Sequence, residues 1–288
     1  MVRRLLSKGE AMNSSGKRVA LVTGASSGIG KATAEALAKE GFVVYPVARR
    51  VEIMDDLGAL GCIPIKMDVT KEEDVVAVVE QITRDHGGVD ILVNNAGLSV
   101  YGSVEETDID KARYQFDVNF FGLGRLTQLV LPHMRQQGWG KIINVSSGEG
   151  RVHAPLAAWY VSSKFALEGF SDCLRAETAK FGIDVVVVRP GAIDTEITGG
   201  FIEPLLGTSG SGPYSTIARK MADWFRNMSA EKGTASPPSV IANVIVGSIK
   251  ASKPRTRYAA GVGVRQAIFF RRILSDRMFD RFMMRMLG

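Results

Sequence analysis

A tyrosine and a lysine stand four residues apart in AAWYVSSKFALEGF, which runs from Ala157 to Phe170. On a helix that spacing puts Tyr160 and Lys164 one turn apart on the same face, within reach of a shared ligand. A phenol titrates near pH 10 and is a poor base at neutral pH. An adjacent ammonium favours the phenolate, each pKa unit being worth about 1.36 kcal/mol. The pair can therefore handle a proton. On an arbitrary helix the same two residues are a packed tyrosine and an exposed lysine, so the elements around them must decide.

Those elements alternate. RVALVTG reads as a strand ending in a turn glycine, KATAEALAKEG as a helix and FVVYPVARR as a second strand, which makes a βαβ unit. CIPIKMDV reads as a strand, KEEDVVAVVEQITRDHG as a helix, VDILVNNAG as a strand and DKARYQFDVNFFGLGRLTQLVLPHMRQQG as one long helix. GKIINVSS and IDVVVVRPG are strands on either side of the helix holding Tyr160. Near-continuous Val and Ile runs mean strands buried on both faces, hence an α/β fold: a single doubly wound parallel sheet of Rossmann type with helices on both faces.

The first turn, TGASSGIG, sets glycines at Gly24, Gly28 and Gly30 between strand and helix. Glycine permits the reversal and lets backbone N–H groups approach a pyrophosphate at the positive helix end. The spacing is not G-x-G-x-x-G, and no acid stands about 20 residues on to hold an NAD ribose. The second strand ends instead in Val47, Ala48, Arg49, Arg50. A guanidinium at Arg49 suits a 2′-phosphate, which points to NADP(H) in preference to NAD(H).

Composition narrows the classes. With 288 residues, 45% hydrophobic and 23% charged, the chain is ample for one large domain. Cys62 and Cys173 match neither a disulfide framework nor a metal-ligand pair, and His86, His133 and His153 are scattered, so no metal is assigned. No apolar run approaches the roughly 20 residues of a membrane span, and the start lacks a secretory apolar region, so a cytoplasmic protein is expected. Of the net charge of +6, the stretch from Lys250 onward holds ten Lys and Arg against Asp276 and Asp280, leaving the remainder near neutral.

TGASSGIG, NNAG at Asn94 to Gly97, Asn119 in FDVNFFG, Ser147 in INVSSG, Tyr160 and Lys164 in YVSSK, and the RPG turn at Arg189 to Gly191 together resemble the short-chain dehydrogenase/reductase family. The likeness covers roughly residues 17–195. It implies a nicotinamide-dependent oxidoreductase acting on CH–OH groups. By that resemblance Gly24, Ser27, Gly28, Ile29 and Gly30 wrap the pyrophosphate, and Asp68 and Val69 border the adenine. Asn95, Ala96 and Gly97 line the cofactor cleft, and Pro190, Gly191, Ile193 and Thr195 close over the nicotinamide.

Hydride transfer to a carbonyl leaves a developing alkoxide, which needs a proton donor and a group to stabilise negative oxygen. Tyr160 and Ser147 fit those needs at the substrate, Lys164 tunes Tyr160, and Asn119 is implied to hold a water that relays protons from Lys164. His153 is expected only at the pocket edge. One departure from NADP-preferring relatives is Ser26 and Ser27 where some carry a basic residue, so cofactor choice rests on Ala48 and Arg49.

Outside this core the reading is coarser. Residues 1–16 are expected as a flexible extension, with Met12 an alternative start, and residues 17–263 as the Rossmann-type domain. Within it, residues 196–235 form a substrate loop, with mobile glycine-rich pieces at GTSGSGPYS and GTASPPS. The loop's Ile197, Phe201, Ile202, Leu205, Leu206, Met221, Trp224 and Phe225 suit either an apolar substrate or a loop core. VARR and the basic tail resemble the hydroxysteroid and retinol dehydrogenase branch, which implies a lipophilic substrate such as a steroid, a retinoid or a lipid. The alternatives are an NADP-binding regulatory protein with weak catalysis and a 3-oxoacyl-type reductase.

Residues 264–288 are expected as one basic amphipathic helix, with Arg277, Arg281 and Arg285 on one stripe and Met278, Phe279, Phe282, Met283, Met286 and Leu287 opposite. Such a helix either lies on an anionic membrane surface or folds against its own domain or a partner. No recognised nucleic-acid fold accompanies the charge, so no nucleic-acid partner is expected. The family likeness implies a homodimer or homotetramer.

Overall fold

The computed structural model describes residues 16–195, 200–230 and 234–287. The expected N-terminal extension, apart from Gly16, lies outside them, as does Ile197. Seven strands form one all-parallel sheet: β1 (Val19–Thr23), β2 (Val43–Ala48), β3 (Ile65–Lys66), β4 (Ile91–Asn94), β5 (Gly140–Val145), β6 (Ile183–Pro190) and β7 (Arg257–Ala260), in the order β3-β2-β1-β4-β5-β6-β7. The order reverses between β1 and β4, which pair from Ala20↔Ile91 to Val22↔Val93. A crevice opens beyond the carboxyl ends of the strands at such a reversal.

Alternation along β1 shows why both faces must be covered. Ala20 and Val22 join an apolar cluster with α1 (Gly28–Lys39) and the later helix Pro238–Lys250, while Val19 and Leu21 join a second cluster with α3 (Glu72–His86) and the helix that follows β4. The expected strand over CIPIKMDV shrinks to β3, on the sheet edge. Ile63 bonds back to the Val44 carbonyl, and Pro64 has no N–H to offer a ladder. A short helix, α2 (Asp55–Ala59), precedes it.

The long helix after β4 is not uniform. It runs as α4 (Ile109–Phe116), widens into a π turn at Asp117–Phe121 and continues as α5 (Gly122–Gln137). Asn119 sits in the π turn, a departure often found at functional sites. The opening stretch lies in α6 (Ala158–Thr178), and a buried bidentate ion pair ties this helix to β6: Arg189 donates to both oxygens of Glu168 at 2.6 and 2.7 Å.

Two expectations change in the last third. The segment expected as a substrate loop carries two helices, α7 (Ile202–Ser209) and α8 (Ser215–Ala230), because Phe201, Leu205, Met221 and Phe225 share a cluster with Tyr101 and Leu156, and the glycine-rich residues 210–214 form the turn between them. After α9 (Pro238–Lys250) and β7, the tail forms two helices instead of one: α10 (Val264–Ile273) and α11 (Asp276–Met286). Leu274 and Ser275 are extended between them, so α11 folds back. Phe270 and Phe282 meet at 5.3 Å between ring centres, Arg271 pairs with Asp276 at 2.7 Å, and Phe279 is fully buried.

Candidate functional site

The glycine turn comes first. Gly24 and Gly28 have φ of +65° and +55°, a region that costs an L side chain, and a Cβ at Gly30 would lie 2.3 Å from the Gly24 carbonyl oxygen. Ser27 caps α1 without a side-chain hydrogen bond, and the helix has no acid in its first turn. The positive end of α1 thus remains uncompensated where it meets the cavity, an arrangement that fits an anionic group such as a pyrophosphate.

Thr23 anchors the neighbouring strand end. Its hydroxyl accepts from the N–H groups of Asn95 and Ala96, both at 2.9 Å, and the Asn95 amide donates to the Thr23 carbonyl. Asn95 therefore braces two loops with its side chain while it lines the cleft. Asp68 is occupied locally, accepting from the Thr70 N–H and hydroxyl. Arg49 is exposed at the end of β2, and it donates to the Tyr114 hydroxyl at 2.8 Å. The sequence reading missed Tyr114; helical spacing alone sets it apart from no other residue of α4.

A single cavity of about 1030 Å³ gathers the rest. Gly24, Ser27, Gly28, Ile29, Arg49, Asp68, Val69, Asn95, Ala96, Gly97, Ser147, Tyr160, Lys164, Pro190, Gly191, Ile193 and Thr195 all line it. Gly30 and Asn119 do not. Gly30 supports the turn from behind, and the Asn119 side chain is bonded to both the N–H and the carbonyl of Leu98 (2.9 and 2.8 Å) and to Ser163. A Cβ at Gly97 would stand 3.4 Å from the Asn119 amide oxygen and 3.7 Å from Lys164 Nζ, ordinary contact distances, so Gly97 borders both groups.

Lys164 is buried, with Nζ donating to the Val145 carbonyl at 3.1 Å and 5.7 Å from the Tyr160 ring centre. Burial draws its pKa down to about 8, against the pull of Glu149 and Glu168. Tyr160 departs from expectation: burial, then the Glu149 carboxylate, push it above its ordinary 10.0, while a hydrogen bond with Ser147 acts the other way. The expected lowering by Lys164 is not among these influences, and the net direction is toward the protonated phenol. Glu149, unmarked in the sequence reading, is itself raised to about 7 by burial.

Beyond Tyr160 the cavity becomes apolar. Phe201, Met221, Trp224 and Phe225 line it, whereas Ile202, Leu205 and Leu206 pack within their own cluster, so the segment serves both as wall and as core. Phe270, Phe282, Met283, Met286 and Leu287 complete the wall from α10 and α11. The amphipathic pattern signalled that face but not its destination. His153 belongs to this closure: Nε2 lies 2.8 Å from an Asp280 oxygen and the ring packs edge-on against Phe279.

The family model for short chain dehydrogenases matches residues 18–204. The chain belongs to the short-chain dehydrogenase/reductase family. It is accordingly a nicotinamide-dependent oxidoreductase that interconverts alcohols and ketones. Among curated relatives, the 3-ketodihydrosphingosine reductase of Bacteroides thetaiotaomicron is 39% identical over 181 residues, covering 63% of this chain and 66% of its own. The NADPH-dependent 3-dehydrocapnine reductase of Ornithobacterium rhinotracheale is 32% identical over 278 residues, covering 92% and 95%. The crystal structure of a short-chain dehydrogenase from Streptomyces avermitilis superposes with a TM-score of 0.77 at 34% identity, over 88% of this chain and 92% of that one. Among the described residues of this short-chain dehydrogenase/reductase, no cluster of His, Cys, Asp or Glu is arranged to hold a metal, and no helix is long and apolar enough to cross a membrane.

Proposed function

We propose that this chain is an NADP(H)-dependent reductase of a lipophilic carbonyl compound, with Tyr160 as proton donor, Ser147 as the hydrogen-bond donor to the substrate oxygen, and Lys164 and Asn119 behind them. The observation that carries this reading is the place of Tyr160 and Ser147, at the join between a cavity end suited to a dinucleotide and an end walled by aromatic and methionine side chains. When bound, the nicotinamide supplies a hydride to the carbonyl carbon.

The chain's residues do the remainder. Ser147 Oγ accepts from the Glu149 N–H at 3.1 Å, and its own proton, bonded toward Tyr160, can turn to a substrate oxygen placed between the two hydroxyls. Burial favours the phenol form of Tyr160, and in the reductive direction it delivers its proton to the developing alkoxide. Lys164 restores that proton. In this reading a water beside Lys164 is held by the main chain at Asn119, because both ends of the Asn119 amide are engaged.

The 2′-phosphate of NADP(H) would meet Arg49, already steadied by Tyr114, and β2 ends without an acid to repel it. The relative described as NADPH-dependent supports the same choice. The test is NADPH and NADH oxidation by purified protein against long-chain, steroid, retinoid and acyl carbonyls. Turnover with NADPH on apolar ketones is expected, and activity confined to NADH or to small polar carbonyls would refute the reading.

One surface supports peripheral membrane contact as well. The lining face of α11 is turned inward, but Phe269, Ile273 and Met278 are 58%, 57% and 53% exposed beside the exposed Arg272 and Arg277. Apolar tips among cations suit an anionic lipid surface next to the cavity's apolar end. Sedimentation with anionic vesicles at low salt should recover the wild type and lose a Phe269→Asp, Ile273→Asp variant; equal recovery would exclude this face.

A further inference from the structure

Glu168 follows Lys164 by one helical turn on α6, so the two side chains rise from the same face, and both residues are buried. Two cations hold its carboxylate. Arg189 of β6 donates to both oxygens, and Arg257 of β7 donates to Oε2 at 3.1 Å while its other arm reaches Asp172 at 2.6 Å. Glu168 also closes against the turn that follows Ser147. A Cβ at Gly150, the last residue of the short 3-10 turn Gly148–Gly150, would stand 2.5 Å from Ser146 Oγ, 3.1 Å from Glu168 Cγ and 3.2 Å from Glu168 Oε1. One carboxylate therefore faces Lys164, the serine turn and, through its bonds to Arg189, the turn at Arg189 to Gly191.

A scaffold does not require charge at this place. An apolar pair of similar volume can join a helix to a strand as well as a buried ion pair, because taking two charges out of water is costly. Lys164 does require an anion. Burial draws its ammonium toward neutrality, Nζ donates only to the neutral Val145 carbonyl, and the carboxylates that act against burial are Glu149, on the serine turn, and Glu168. Of the other groups facing it, Tyr160 is a phenol, the π turn presents the neutral Asn119 amide with Asp117 exposed to solvent, and Arg189 and Arg257 are cations bonded to Glu168.

We propose that Glu168 is a positioning residue for the proton-handling step: its carboxylate keeps Lys164 an ammonium, and Arg189 and Arg257 set how much of that negative charge Lys164 feels. Glu168 does not line the cavity and acts only through Lys164. Removing its charge makes the ammonium easier to deprotonate. Removing the Arg257 cation leaves the carboxylate less compensated and makes the ammonium harder to deprotonate. Reduction uses the ammonium to restore the Tyr160 proton, so activity falls as pH rises through the Lys164 titration, and the two substitutions should move that limb in opposite directions.

The inference rests on the role of Lys164 proposed above, and one set of pH profiles separates the two. For wild type, Glu168→Gln and Arg257→Gln, kcat/KM for NADPH-dependent reduction of a long-chain methyl ketone in detergent micelles is followed against pH, with folding checked by NADPH binding. The alkaline limb of Glu168→Gln should lie about one pH unit below that of wild type, the low end of the shift a neighbouring charge causes, and that of Arg257→Gln above it. A merely structural role would lower stability or rate in both variants without moving the limb. An unmoved limb in either variant, or two shifts of the same sign, would overturn the inference and leave the reductase reading intact. Should Glu168→Gln not fold, an Arg257→Gln limb at or below that of wild type overturns it alone. A wild-type profile with no alkaline limb would remove the Lys164 role and the inference together.

Discussion

At the sheet end of the cavity, main-chain atoms do the positioning: Thr23 clamps Asn95 and Ala96, Gly30 fits under the Gly24 carbonyl, and the bare end of α1 faces the cleft. At the far end, the wall consists of side chains from three helices, α8, α10 and α11, with Phe201 beside them, and His153 and Asp280 fasten the last of them. A backbone cradle accepts one shape of ligand and tolerates little substitution. A wall of Phe, Trp and Met accepts a class of ligands and can be trimmed. The sheet end therefore fixes the cofactor and the chemistry, while the helical end selects the substrate.

The sharpest break between the two is at their junction. Tyr160→Phe keeps the ring in the aromatic wall and removes the proton, so turnover should fall roughly 10²–10⁴-fold with NADPH affinity retained. Steady-state rates set beside fluorescence titration of NADPH check both halves of that statement. A parallel loss of affinity would mean that Tyr160 holds the cofactor end together.

Next comes the scaffold of the sheet end. Glu168 is 6% exposed and takes both arms of the Arg189 guanidinium, so Glu168→Ala leaves a buried cation uncompensated and should cost about 3–5 kcal/mol in denaturant unfolding. The same network carries a pH signature. Arg257, then Arg175, hold Asp172 down to about 2 from its ordinary 3.8. The group's contribution is thus complete above its unfolded pKa and is lost as pH falls through the folded one. Unfolding midpoints between pH 4 and pH 2 should fall less in Asp172→Asn than in wild type.

Arg49→Ala removes one charge-assisted contact at the sheet end and should weaken NADPH binding ten- to a hundredfold, about 1.5–3 kcal/mol, with NADH unaffected. Equal affinity of the wild type for both cofactors would remove the basis for the NADP(H) preference. Smaller still is the effect at the helical end. Phe282→Ala should lower kcat/KM for a long-chain ketone by about 1–3 kcal/mol relative to a short one, with NADPH affinity unchanged.

The same contrast explains what could be read from the sequence. Glycines with positive φ, an arginine at a strand end and a Tyr–Lys pair one turn apart leave local signatures, because main-chain geometry and helical spacing are short-range. The parallel sheet was legible from its Val and Ile runs. The helical end was not, because its residues meet only in three dimensions. Tyr101 reaches Glu149 across 48 positions and His153 reaches Asp280 across 127. The tail's amphipathic period was plain, yet the extended Leu274 and Ser275 that fold α11 over the cavity carry no strong breaker.

The central claim is that hydride reaches a lipophilic carbonyl at a site where Tyr160 supplies the proton. It is tested most directly by incubating wild type and Tyr160→Phe with NADPH deuterated at the transferring carbon and a long-chain ketone, and locating the label by mass spectrometry. Wild type should yield alcohol with one deuterium on the carbinol carbon, and the variant almost none. Unlabelled alcohol from wild type, or equal labelled yield from both proteins, would contradict the account.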